Sequence, residues 1–585
     1  MTLEKSLLEE VKTLAYKYAL LNAIKHEGRA LPGPVISKII AEKPEVRNII
    51  RELIPVIKDI VSEVNKLSIE EQRRILMENW PELLEEKKVV EEKKLPPLPE
   101  AKEGAVVTRF APNPDFAIHL GNARPALLSY FYAEMYKGKM ILRFEDTDPR
   151  TKASYPEAYN QIKEDLRWLG IRWDEEYIQS LRLPIFYNIV RELIKKGGAY
   201  VDKCPADEFR KYRDEGKPCP HRSKPVNEQL EEFDKMLEGH YGEGEAVVRI
   251  KTDLTHPDPS VRDWVGLRII DTDRNPHPIV GDKYIVWPTY NLAAGIDDYL
   301  MQITHILRAK EHQTNTIKQK YMYDHMGWKY PVTIHFGRLS LEGVMLSKSQ
   351  MRRKVSEGYM AYDDPRFGTL AALRRRGIVP ETIHEIIKDV GVKSIDAVIS
   401  FANLAAINRK IIDPKAPRYM MVVDPVTVII EDAPRVMDIK ITRHPTKKEY
   451  YSYKLEGSQI KIYMSSKDIE LFTKNKVVRF MELGNVEYKG VSLAHNAVVI
   501  KTKFIDTSLE TARKYNAPII QWVPVKYATN IEIWKPEEEN IIIEHGLVER
   551  AILEESNGAI VQFYRYGFAR IEQTSTGIRA IYAHQ

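Results

Sequence analysis

Two short stretches of the chain carry residue types suited to nucleotide chemistry. The first runs Arg109-Phe-Ala-Pro-Asn-Pro-Asp-Phe-Ala-Ile-His-Leu-Gly-Asn122. The first turn of a helix starting near Asn122 has unpaired N–H groups and a partial positive charge, both suited to a phosphate. His119 stands where its imidazole can donate to a phosphate oxygen, and Gly121 leaves room for a nucleotide to lie against the backbone. The second stretch, Met345-Leu-Ser-Lys-Ser349, follows Gly343 far along the chain. A lysine on a mobile loop, Lys348, can close over phosphates and neutralise charge gathering during transfer. Taken singly, neither is specific: a His-x-Gly-Asn turn recurs by chance, and a Ser-Lys-Ser triplet is usually a solvated loop.

These residues need elements to position them. Ala105-Val-Val-Thr-Arg-Phe110 reads as a buried strand and Asn122 to Lys137 as a helix, with Pro125 near its start and Gly138 after its end. Lys139-Met-Ile-Leu-Arg-Phe144 reads as the next strand, which makes a parallel crossover unit. Residues 181–284, rich in Pro and Gly, break that rhythm as an inserted domain would, and the α/β pattern returns near Tyr284-Ile-Val-Trp287. Residues 350–415 read as helical. After about Pro425, β-branched runs such as Val426-Thr-Val-Ile-Ile430 and Ile541-Ile-Ile543, separated by turn residues, point to β-barrels. At the other end, residues 1–85 read as a helical module, with Ser68-Ile-Glu-Glu71 as a capping box. Glu85 to Glu103, with two Glu-Glu-Lys-Lys runs and Leu-Pro-Pro-Leu-Pro, reads as a solvated, fairly stiff linker.

The chain has 585 residues, 43% of them apolar and 29% charged, with a net charge of +5. That size implies several domains, and the near-balanced charge means that nucleic acid would be met by local basic patches. The two cysteines exclude a disulfide framework and fit a reducing cytoplasm. Cys204 and Cys219-Pro-His221 offer three donors where structural zinc takes four, so no metal site and no protein-bound zinc are expected. No signal core opens the chain and no stretch of 18 apolar residues spans a membrane, which points to the cytoplasm.

Together, in this order and on either side of an insertion, the two stretches resemble the two signature motifs of class I aminoacyl-tRNA synthetases. Leu142-Arg-Phe-Glu-Asp-Thr-Asp-Pro149, Pro288-Thr-Tyr-Asn-Leu-Ala293, Asp363-Asp-Pro-Arg366 and Leu373-Arg-Arg-Arg-Gly377 carry the resemblance into the glutamyl/glutaminyl branch. A helical N-terminal extension with a glutaminyl-like β-barrel C-terminus resembles the archaeal type of glutamyl enzyme. Three residues depart from the family pattern: Phe116 stands for a Gly, Asn122 for the final His of the first motif, and Met345 for the first Lys of the second.

The resemblance implies a multidomain α/β fold. Residues 1–100 would be the helical extension and linker, 101–180 and 285–338 the two halves of a Rossmann-like catalytic domain, and 181–284 an inserted tRNA acceptor-binding domain. Residues 339–425 would be the signature loop and helical connector, and 426–585 the anticodon-binding barrels. It implies ATP, with Mg²⁺, at His119, Gly121, Asn122, Ser347 and Lys348, with His119 and Lys348 catalytic. Around the amino acid it implies Arg109, Asn113, Glu145, Tyr290 and Arg308, with Glu145 on the ammonium group and the two arginines on the γ-carboxylate. Glutaminyl enzymes carry a small neutral residue in place of Arg308. A buried guanidinium facing a neutral amide would lack its anion, so glutamate is favoured; a structural ion pair of Arg308 with Asp297 or Asp298 is the alternative. Arg374, Arg375 and Arg376 would contact tRNA phosphates, against the plainer reading of a solvated helix face. Tyr450, Tyr451, Tyr453, Trp522, Tyr527 and Trp534 are candidates to stack anticodon bases or to fill the barrels.

The function implied is glutamate–tRNA ligation: glutamyl-adenylate forms, with tRNA already bound, and glutamate passes to the 3′ end of tRNA(Glu). The archaeal-type resemblance implies that tRNA(Gln) is charged too, with an amidotransferase completing the work. The family leans monomeric, and residues 1–85 are left for a protein partner. A glutamine–tRNA ligase and a non-catalytic tRNA-binding paralogue are the rival readings.

Overall fold

The computed structural model describes residues 5–26, 28–80, 83, 95–151, 153–444, 446–494, 497–575 and 577–585; the charged run of the linker lies outside them. They form two compact units, 1–93 and 94–585. No helix among the described residues is long and apolar enough to cross a membrane.

Among the described residues the first unit has four α-helices, α1 (Lys5–Lys25), α2 (Pro32–Glu42), α3 (Ile50–Val64) and α4 (Ile69–Asn79). Val11, Ala15 and Leu20 of α1 meet Val35, Ile39, Leu53, Ile57 and Leu76 in its core. The capping box read in the sequence forms: Ser68 Oγ accepts the Glu71 N–H and the Glu71 carboxylate accepts the Ser68 N–H at 2.8 Å.

In the second unit, β1 (Val107–Phe110), α5 (Leu120–Met135), β2 (Lys139–Phe144), α6 (Pro156–Trp168) and β3 (Glu175–Ile178) build a parallel sheet, with Val107 opposite Lys139 and Ile141 opposite Glu175. An insertion follows: α7 (Leu183–Lys195), β4 (Ala199–Asp202), α8 (Ala206–Glu215), α9 (Val226–Leu237), β5 (Val247–Ile250), β6 (Val265–Ile269) and β7 (Val286–Pro288). Its four strands pair antiparallel in chain order. The run around Trp287, read from the sequence as the return of the parallel sheet, is therefore the last strand of the insertion. Val286, Trp287 and Pro288 are all buried, and an apolar run covered on both sides has the same pattern in either kind of sheet.

The chain then re-enters the first sheet through α10 (Tyr290–Leu300), β8 (His305–Ala309), α11 (Gln313–Met326) and β9 (Val332–Phe336). Thr304 joins β8 to β1: its N–H donates to the Val107 carbonyl at 3.0 Å and its hydroxyl accepts the Val107 N–H at 2.8 Å. The parallel sheet β3-β2-β1 and the parallel pair β8-β9 thus adjoin, with β8 beside β1. The order reverses between β1 and β8, and such a switch point opens a crevice beyond the carboxyl ends of the strands. Leu127 and Leu128 of α5 and Leu142 and Phe144 of β2 anchor the core beneath it.

Beyond lie β10 (Leu339–Glu342), α12 (Lys348–Ser356), α13 (Leu370–Arg375), α14 (Pro380–Val390), β11 (Ala397–Ser400) and α15 (Phe401–Ile412), with β11 parallel to β10. The described residues of 418–584 form two seven-stranded sheets and a two-stranded one, which share one core through Val428, Ile439, Ile462, Val548 and Ile571.

Candidate active site

The crevice at the switch point is a cleft of about 970 Å³. Arg109 and Glu145 follow from β1 and β2, Arg308 from β8, Tyr290 from the start of α10, and His119 from the start of α5. Lys348 enters from the first turn of α12. Arg109, Asn113, His119, Gly121, Asn122, Glu145, Tyr290, Arg308 and Lys348, singled out from far-separated parts of the sequence, all line this one space. Ser347 does not; its hydroxyl lies 3.1 Å from that of Ser349, at the surface.

His119 is the N-cap of α5. Its Nδ1 accepts the Gly121 N–H at 3.1 Å, and its own N–H donates to Asn122 Oδ1 at 3.2 Å. An Nδ1 that accepts leaves the proton on Nε2, so the imidazole is a donor in its neutral form. Burial, and then the charge of Lys348, pull its pKa down to about 4, so it stays neutral at physiological pH. Gly121, which lines the cleft, has a second reason to be glycine: a Cβ there would meet the His119 ring at 2.9 Å and the Leu339 carbonyl at 3.1 Å, so glycine also admits the histidine and the neighbouring strand.

The two motif loops are stitched together by a third segment. Leu120 N–H donates to the Gly368 carbonyl at 3.2 Å, Gly368 N–H to the Met345 carbonyl at 2.8 Å, and Leu370 N–H to the Ile118 carbonyl at 3.0 Å. Two of the three residues that depart from the family pattern meet here: Phe116 and Met345 both pack on the small cluster of Met351, Phe367 and Ala372. Lys348 Nζ donates to Asp115 Oδ1 at 2.6 Å and lies 3.4 Å from the Asn113 carbonyl. Nothing in the sequence pointed to Asp115.

The other end of the cleft holds a buried charge network. Asp298 accepts from Arg109 Nε at 3.0 Å and from Arg143 at 2.8 Å, and Arg143 also donates to Glu145 at 2.9 Å. Burial pushes the Asp298 carboxyl up, but Arg109 and Arg143 outweigh it and hold it below the usual carboxylate range. For Glu145 burial outweighs Arg143 and Arg109, and its pKa rises. Asp297 is paired with Arg182 at 2.9 Å. With both aspartates engaged by other arginines, Arg308 has no carboxylate partner among the described residues. Its guanidinium donates to Gln319 at 3.1 Å, to Tyr330 at 2.9 Å and to the Thr316 hydroxyl, all neutral. Arg109, which the resemblance put on the γ-carboxylate beside Arg308, lines the cleft and is already ion-paired with Asp298. The side-chain oxygens of Asn113 and Asn291, both lining the cleft, are buried with no partner among the described residues.

The arginine triplet divides. Arg375 makes a two-pronged pair with Glu572, at 2.7 and 3.1 Å, and Arg376 is buried over the Phe401 ring, 4.0 Å from its centroid. Arg374 and Arg375 are both half-exposed, and Arg374 lies beside Trp168. Successive residues of a helix point about 100° apart, so three in a row cannot share a face. The aromatic candidates divide likewise. Trp522, Tyr451 and Tyr453 are core, Tyr527 and Trp534 are half-buried, and Tyr450 is 51% exposed on the strand Tyr450–Glu456. Alternation along a strand puts Tyr450 outside and Tyr451 inside.

Three family models match the chain: "tRNA synthetases class I (E and Q), catalytic domain" over residues 105–414, and the family's two anti-codon binding domains over 416–506 and 519–572. A glutamate–tRNA ligase of Staphylothermus marinus is 60% identical over 97% of this chain and all of its own length. One from Hyperthermus butylicus is 54% identical, again over 97% of this chain and the whole of that protein. A solved glutamate tRNA ligase of Elizabethkingia meningosepticum, in complex with its amino acid, is 24% identical and covers 53% of this chain and 70% of that one. Its TM-score is 0.38.

Proposed function

The chain belongs to the class I tRNA synthetases of the E and Q type, and from that premise we propose that it is a glutamate–tRNA ligase that uses ATP to load glutamate onto tRNA(Glu) and tRNA(Gln) in the cytoplasm. Full-length relatives bearing that activity support the choice of amino acid. The observation that carries it is Arg308, a buried guanidinium in the cleft whose partners are all neutral. A buried cation without an anion is costly, and a substrate carboxylate of the right reach removes that cost.

Glutamate would lie with its γ-carboxylate on Arg308, Tyr290 beside it, and its ammonium on the Glu145 oxygen that Arg143 does not hold. Arg109 acts from behind, fixing Asp298 and the network. ATP, entering with its Mg²⁺, would set its α-phosphate against the head of α5. The glutamate α-carboxylate attacks the α-phosphorus, the bond to the β-phosphate oxygen breaks, and pyrophosphate leaves. His119 Nε2–H donates to a phosphate oxygen, and Lys348, released from Asp115, neutralises the charge that builds there. The terminal ribose hydroxyl of tRNA then attacks the carbonyl of the adenylate, and AMP departs. No protein nucleophile is needed. The insertion would hold the acceptor end and the barrels the anticodon, with Tyr450 and Arg374 the reachable members of the sequence-derived sets.

Pyrophosphate exchange and aminoacylation with glutamate and glutamine, across purified tRNA(Glu) and tRNA(Gln), test this. Glutamate on both tRNAs is expected; activation of glutamine but not glutamate would reverse the assignment.

A further inference from the structure

The long connection between β6 and β7 of the insertion carries a buried histidine that the mechanism above does not use. Of residues 273–280 only His277 is buried; the others are exposed or half-exposed. The backbone closes a tight turn around it. His277 N–H donates to the Gly281 carbonyl at 3.0 Å, and Gly281 N–H donates to the His277 carbonyl at 2.8 Å. Gly281, at φ 61°, supplies the left-handed residue that the turn requires. Inside the turn His277 Nδ1 accepts the Ile279 N–H at 3.2 Å. An Nδ1 that accepts leaves the proton on Nε2. Nε2 donates to the main-chain carbonyl of Asp146 at 2.9 Å, and it lies 3.5 Å from Oδ2 of the same residue. The ring stacks on that of Trp287, with centroids 5.3 Å apart and planes 29° from parallel. Burial lowers the histidine's pKa and outweighs Asp146, which raises it, so the ring stays neutral at physiological pH.

Asp146 is the residue after Glu145. β2 ends at Phe144, so the sheet does not fix the peptides that follow. Glu145 N–H reaches the Pro112 carbonyl at 3.0 Å. The Asp146 carboxylate is then held from the catalytic domain: it accepts from the Ser180 N–H at 2.8 Å, the Ser180 hydroxyl at 2.7 Å and the Tyr159 hydroxyl at 2.6 Å. The Asp146 carbonyl is held from the insertion, by His277. A second tie runs beside it, from Arg268 of β6 to Asp148 at 3.0 Å. A buried carbonyl is costly to leave without its donor, so the His277 bond pins this peptide. One Glu145 oxygen is taken by Arg143, and the direction of the other follows from the backbone that carries it.

We propose that His277 is a positioning residue for the amino-acid site. Through the Asp146 peptide it sets the direction of the Glu145 carboxylate, so that the inserted domain, and not the parallel sheet alone, completes the pocket for the substrate ammonium. His277 does not line the cleft; it acts through the loop. The inference rests on the glutamate–tRNA ligase reading and deepens it.

Pyrophosphate exchange with tRNA present, run on the full chain at saturating ATP, tests this with three replacements. His277→Asn keeps an acceptor near the place of Nδ1, and with it the turn, but is too short to reach Asp146. His277→Phe keeps a ring on Trp287 and has no donor. His277→Gln puts an N–H near the place of Nε2. His277→Asn and His277→Phe are expected to raise the KM for glutamate about tenfold, below the hundredfold that a misplacement of about 1 Å can cost, with the KM for ATP held within about twofold. His277→Gln should stay within about threefold of the parent. A packing role predicts the opposite order, with His277→Phe the mildest. The two defective variants lose different contacts, so a folding failure in one, read by circular dichroism, leaves the other to report. A folded His277→Asn or His277→Phe chain with its KM for glutamate unmoved overturns the proposal. So does a His277→Gln chain no better than these, or an equal rise in the KM for ATP. A native chain that does not activate glutamate overturns the ligase reading itself, and the ammonium role of Glu145 with it.

Discussion

The two ends of the cleft are built on opposite principles. At the amino-acid end the charges are buried and mostly paired: Arg109 and Arg143 converge on Asp298, Arg143 reaches Glu145, and Arg308 is left without an anion among the described residues. At the nucleotide end the parts are held by a few backbone bonds around Gly368 and by one partly exposed ion pair, Asp115–Lys348. A buried network cannot rearrange without uncovering charge, whereas a pair near water exchanges at little cost. The comparison teaches a division of labour: the amino-acid end selects because it cannot move, and the nucleotide end catalyses because it can.

If that is right, removing the guanidinium of Arg308 at the amino-acid end should have the largest effect. Arg308→Ala is expected to lower kcat/KM for glutamate about a thousandfold, within the range for truncating a desolvated, charge-assisted contact. Pyrophosphate exchange with tRNA present reads it, and a loss under tenfold would say that the selective end lies elsewhere. Lys348→Ala should cost about a hundredfold in kcat, the scale of one transition-state donor, with KM for glutamate hardly moved. A change confined to the KM for ATP would instead make Lys348 a ground-state contact.

The third prediction concerns protons. His119 is held neutral, its pKa lowered to about 4. The unfolded chain therefore binds more protons than the native one between about pH 6.5 and 4, and native stability falls as pH drops through that window. Protonation would also put a hydrogen on the Nδ1 that now accepts the Gly121 N–H. Turnover should show no histidine limb near pH 6.5, and His119→Asn should flatten the loss of Tm below it. A kinetic pKa near 6.5 that vanishes in His119→Asn would mean an open, solvated histidine. The smallest effect belongs to the movable pair: Asp115→Asn should lower the KM for ATP by a factor of about 2–5 and weaken its salt dependence, as fits a half-exposed contact. No change, or a rise, would show that Asp115 positions Lys348 rather than restraining it.

What could be read from the sequence followed from local order. The strand ending at Phe110, the helix capped by His119 and the capping box at Ser68 are consequences of residues within one or two turns of each other. The family pattern added which distant segments belong together. Val286–Pro288 escaped because an apolar run does not say which neighbour it will pair with. The triplet at Arg374 and the tyrosines after Lys448 could be read only as sets, since which member faces water depends on what packs behind it.

The sequence by itself thus determined the elements, their order and the residue types delivered to the strand ends, because backbone geometry and hydrophobic periodicity act over a few residues. Only the tertiary structure decided the partnerships. It put Asp298 between Arg109 and Arg143 and left Arg308 unpaired, set Asp115 against Lys348, and brought His277 to the Asp146 carbonyl. Coulomb and hydrogen-bond energies depend on distances of a few ångströms, and those are set by packing between segments that the chain keeps far apart.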